Sequence, residues 1–94
     1  MKLKEMIIMN KTAKEMFSKL GYEKLYKHNS YMFYEKKLKE NPKYENDYVH
    51  IGFEFADKTF SKTYGDDNSV YEITMEELQA INKQIEELGW DWNE

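Results

Sequence analysis

The feature that most constrains this chain is a helix close to its end whose start and stop are both written in the residues. Thr74 and Glu77 form a capping box: the threonine oxygen can accept from the Glu77 amide while the glutamate reaches back to the Thr74 amide. Ile73 and Leu78 stand at the spacing of a hydrophobic staple. Leu78, Ile81, Ile85 and Leu88 then recur at steps of three, four and three, which is one face of a 3.6-residue helix. Gly89 occupies the left-handed cap position, and Trp90 is placed to fold back onto Ile85. Glu76 and Glu77 suit the positive end of the helix dipole. The same punctuation occurs near the start of the chain. Thr12 and Glu15 form a capping box, Ala13, Met16, Phe17 and Leu20 share a face, Gly21 ends the run, and Tyr22 stands to Phe17 as Trp90 stands to Ile85. A helix therefore opens the fold and a longer one closes it.

Between them the period changes to two. Tyr22–Lys27 and Tyr31–Lys37 read as strands joined around His28, Asn29 and Ser30. Leu38–Asn46 is polar and holds the only proline, so it reads as a loop. In Tyr48–Phe55, Val49, Ile51, Phe53 and Phe55 alternate with Tyr48, His50, Gly52 and Glu54, giving one apolar and one mixed face. Ala56, Asp57 and Lys58 turn the chain into Thr59–Tyr64, where Phe60 and Tyr64 share a face. Gly65–Ser69 is a strong loop signal, and Val70–Ile73 can add a short strand. This order predicts an α+β domain: an antiparallel four-stranded meander with an N-terminal and a C-terminal helix packed on one face. The apolar side of Val49–Phe55 is the natural partner of both helices, with Ile73, Leu78, Ile81, Ile85 and Leu88 committed to the core.

Residues 10–94 read as a single domain of a size that buries about 60–70 % of its unfolded surface. Met1–Met9 is either an N-terminal extension, since Met9 can itself serve as a start, or the beginning of a helical face through Leu3, Met6 and Ile7. Eight Tyr, five Phe and two Trp let so short a chain assemble a dense core. An aromatic-rich domain of this size can also bury a strand face or edge against a second copy, so a homodimer is open.

Composition excludes several classes of function. Without cysteine there is no disulfide framework, thiolate nucleophile or thiolate metal site. Met6–Met9 is too short for a signal peptide, and no run approaches the roughly 20 apolar residues of a membrane span. A cytoplasmic location follows as the expectation. His28 and His50 have no third ligand at metal spacing and read as a turn residue and a polar-face strand residue. Asp66, Asp67 and Asn68 lack the alternating ligands and the glycine of a calcium loop and read as a solvated turn. The pairs Glu76/Glu77 and Glu86/Glu87 diverge around a helix and do not converge on a substrate. No nucleophile triad, phosphate-binding glycine loop or metalloprotease motif is present. The chain reads as a non-enzyme that needs no cofactor.

Two surfaces remain. The net charge is −4, yet residues 1–65 carry 13 Lys against 9 acids, while residues 66–94 carry one Lys against 9 acids. The acids of the closing segment are either a solvated helix face or a docking surface for a basic protein. On the docking reading the candidate partner-binding residues are Glu76, Glu86, Glu87, Asp91 and Trp92, since tryptophan anchors interfaces and acidic complementarity speeds association. The second surface is a basic, aromatic sheet. Lys24, Lys27, Lys36, Lys37, Lys39 and Lys43 interleave with Tyr22, Tyr26, Tyr31, Phe33, Tyr34 and Tyr44. Such a pattern either protects a half-buried sheet or holds a single strand of nucleic acid by stacking and phosphate neutralisation. For the nucleic-acid reading the candidate residues are Lys24, Tyr26, Tyr34 and Lys36. All fourteen basic residues are Lys, which disfavours base-specific duplex reading; an AT-rich genome would produce the same bias.

Two stretches, NKTAKEMFSKLGYEK at Asn10–Lys24 and YEITMEELQAINKQIEELGW at Tyr71–Trp90, resemble small proteins encoded by phages and prophages of low-GC Gram-positive bacteria. In that group a helix ending in Leu-Gly-Tyr opens the chain and a Met-Glu-Glu-Leu-x-Ala-Ile helix ending in Leu-Gly-Trp closes it. The resemblance begins near Met9 and brings no activity or site residues. It implies a context: a small accessory gene of a mobile element. The leading expectation is accordingly a protein-binding module that modulates a host or defence protein. The alternative is a single-stranded nucleic-acid binder.

Overall fold

The computed structural model of the chain describes residues 11–44, 47–64 and 72–90. Helix α1 (Ala13–Lys19) leads into strands β1 (Tyr22–Lys27), β2 (Tyr31–Lys37), β3 (Tyr48–Glu54) and β4 (Thr59–Tyr64), and helix α2 (Met75–Leu88) follows. The strands form one antiparallel sheet in the order β1-β2-β3-β4, so the predicted meander is the observed one. The leader Met1–Met9, the Gly65–Ser69 loop and Val70–Tyr71 lie outside the described residues. Glu72 and Ile73 are not in a strand.

Both capping boxes are made. The Thr12 and Thr74 side chains accept from the amides of Glu15 and Glu77, and each glutamate returns a bond to the cap amide. At the end of α2, Gly89 adopts φ 75°, its amide donates to Glu86 O, and the Trp90 amide donates to Ile85 O. A residue with a Cβ would be strained in that conformation, which is why the helix stops at a glycine.

Both helices cover the same face of the sheet. The core joins Ala13 and Phe17 of α1, Tyr22, Met32, Tyr34, Val49, Ile51 and Phe53 of the sheet, and Ala80, Ile81 and Ile85 of α2. Phe17 is its hub: the ring stacks on Tyr34 at 4.0 Å and meets Tyr22 and Phe53 edge-on at 5.5 and 6.5 Å. Trp90 closes one end against Phe53 at 6.2 Å.

Three expectations change. Strand β3 stops at Glu54, and Phe55 begins the turn, its amide donating to Ser30 O in the neighbouring hairpin. Leu78 is half-buried and outside the core cluster. The face of α2 that turns inward is Glu77, Ala80, Ile81, Gln84 and Ile85, and Leu78 stands about 90° round the helix from its middle. The helix is rotated so that two polar side chains reach partners inside the fold. Third, β1 carries a bulge. Tyr22 pairs with Lys36 while Lys24 pairs with Glu35, so Glu23 is the extra residue. Strict alternation would put Tyr22, Lys24 and Tyr26 on one face; the bulge leaves Tyr22 inside and turns Lys24 and Tyr26 outward.

Candidate interaction surfaces

Part of the acidic surface of the closing helix is committed within the fold. Glu87 Oε2 accepts from the Ala13 amide at 2.7 Å, satisfying one of the donors that the first turn of α1 leaves over. Glu86 lies 3.2 Å from Lys83 one turn back on the same helix. Glu77, which the helical pattern groups with the solvated acids, is 5 % exposed. Its Oε1 accepts from the Thr74 amide and from Lys62 Nζ, both at 3.0 Å, and its Oε2 accepts from the Tyr22 hydroxyl at 2.8 Å. Burial pushes this carboxyl up, but the Thr74 amide, Lys62 and Tyr22 outweigh it and hold the group below its ordinary value. Burial and the adjacent carboxylate drive the Tyr22 hydroxyl well above the usual tyrosine range. Glu76 stays exposed, beside a shallow groove of about 180 Å³ formed with Met16, Leu20 and Gln79. Asp91 and Trp92 lie outside the described residues. Of the three described acidic-end candidates, Glu87 is tied to α1, while Glu76 and Glu86 stay at the surface, Glu86 with 72 % of its side chain exposed.

The four residues of the nucleic-acid reading do not form one surface. Tyr34 points into the core, 2 % exposed, and its hydroxyl donates to Gln84 Oε1 on α2. Lys36 is on the same side, its ammonium 5.5 Å from the centroid of the Tyr22 ring. Lys24 and Tyr26 face the other way. The alternation of β2 is the cause: Met32, Tyr34 and Lys36 take the helix side, and Tyr31, Phe33, Glu35 and Lys37 take the open side.

That open side is the second candidate surface, and the register maps it row by row. Across the sheet lie Lys24, Glu35, His50 and Thr63; then Tyr26, Phe33, Gly52 and Ser61; then, towards the hairpins, Tyr31, Glu54 and Thr59. Neither helix covers it. Its β1–β2 half is a ladder of rings: Tyr26 and Phe33 are 4.7 Å apart at 22°, His28 and Tyr31 are 4.5 Å apart at 23°, and His50 stands edge-on to Phe33 at 5.1 Å. Rings this close and nearly parallel are stacked, so each covers part of its neighbour's face. His50 Nε2 also lies 3.0 Å from Glu35 Oε1. On the open side β3 carries Tyr48, His50, Gly52 and Glu54, and β4 carries the hydroxyl residues Thr59, Ser61 and Thr63. Between the halves runs a trough of about 230 Å³, floored by Gly52 and walled by Tyr31 and Phe33 on one side and Ser61 and Thr63 on the other.

Beside it, where the 38–47 loop meets the sheet, a wider groove of about 510 Å³ is lined by Lys24, Lys37 and Lys43, but also by Glu23, Glu35 and Glu40. Its charges balance, which is poor electrostatics for a phosphate backbone. Asp47 organises the loop by accepting from the amides of Lys43 and Tyr44.

Among the described residues no group of three or more His, Cys, Asp or Glu side chains is placed to hold a metal ion, and no helix is long and apolar enough to cross a membrane. The alternation of β3 already signals a mixed face carrying His50 and Gly52. Its assembly with Tyr26 and Phe33 into one surface depends on the bulge and the register. Comparison with protein-family models, curated proteins and solved structures finds no match.

Proposed function

We propose that this protein is a non-enzymatic accessory module that acts by protein–protein binding, and that it binds through the open face of its sheet. The observation that carries this reading is the ring ladder of Tyr26, Phe33, His28 and Tyr31 on the face that neither helix covers. Stacked aromatics beside a trough of mixed lining suit the side chains of another protein, and aromatic residues are the usual anchors of such interfaces. The resemblance to small phage and prophage proteins supports a role in the bacterial cytoplasm, on a host or defence protein.

A second reading is kept by one observation: Lys24 and Tyr26 share the open face at the β1 edge, where Phe33 is the one ring stacked on Tyr26 among the described residues. A single-stranded oligonucleotide could stack there. The mutual covering of the other rings and the balanced charge of the neighbouring groove favour the protein reading.

The experiment is capture from extract of a low-GC Gram-positive host with three versions of the tagged protein: wild type, Tyr31→Asp on the open face and Glu76→Lys on the acidic helix. Capture that survives Glu76→Lys and is lost in Tyr31→Asp is the expected result. The reverse pattern would return the interface to the acidic helix. Binding of an oligonucleotide that weakens steeply with salt, with no protein captured, would select the second reading.

A further inference from the structure

We draw no further inference here: the strongest candidate, the trough over Gly52 on the open face of the sheet, belongs to the surface already described, and nothing in the structure shows what covers it.

Discussion

Tyr22 on β1 and Glu77 on α2 lie 55 residues apart in the chain and share a buried hydrogen bond of 2.8 Å, with Lys62 of β4 holding the other carboxylate oxygen at 3.0 Å. One carboxylate thus ties both edge strands to the closing helix and completes that helix's capping box. Removing it would leave a lysine with 10 % of its side chain exposed without its counter-ion. Glu77→Gln should destabilise the fold by about 3 kcal/mol, because breaking one side of a buried pair leaves an uncompensated charge. Tyr22→Phe, which removes one neutral donor and leaves the carboxylate its other partners, should cost about 1 kcal/mol. Urea denaturation of both variants at neutral pH gives the ratio.

The same carboxylate carries a pH dependence. Its folded-state value lies below the ordinary 4.5, so the unfolded chain takes up the proton first as pH falls. The stabilisation is fully present above the unfolded value and is lost as pH drops through it towards the lower folded value. Wild-type unfolding free energy should therefore fall below about pH 5, and Glu77→Gln should show a shallower decline there. Equal slopes for the two proteins would show that other carboxylates dominate the acid limb.

Glu87 and Ala13 make a second long-range cap, the Glu87 carboxylate standing in for a local residue at the first amide of α1. Glu87→Gln should cost about 1 kcal/mol and should raise amide exchange in α1 before any other element. A variant with unchanged exchange in α1 would free Glu87 for a role at the surface.

On α2, Ile81 is fully buried while Leu78 is half-exposed at the edge of the inward face. Ile81→Ala should cost about 2–4 kcal/mol and Leu78→Ala less than about 1.5 kcal/mol. Comparable losses would mean that the helix sits with Leu78 inward, as its heptad-like spacing alone predicts.

Lys58 is the one non-glycine residue at positive φ among those described, 55° in the turn between β3 and β4. Lys58→Gly should stabilise the protein by about 0.5–1 kcal/mol by removing the left-handed strain. Gly89→Ala, at φ 75° with open space around the added Cβ, should cost about 1–2 kcal/mol from backbone strain alone. Thermal unfolding of the two variants should move in opposite directions.

Reading the residues alone recovered what rests on neighbours three to five positions apart. The T-x-x-E starts, the Leu-Gly-aromatic stops and the alternation of Val49, Ile51 and Phe53 each close their own interactions locally, and together they set the order of elements and the one-sided packing. The candidate surfaces were only half legible. Glu77, Gln84 and Tyr34 look like surface residues until partners far along the chain take up their polar atoms, and no local pattern announces a hydrogen bond fifty residues away. The facing of Lys24 and Tyr26 turned on a single extra residue, Glu23, because side chains alternate with a period of two and one insertion reverses every residue beyond it. Where the strands begin and end is a matter of local chemistry. Which of their polar side chains are structural, and which remain free to meet a partner, is decided by burial, and burial exists only once the helices lie on the sheet.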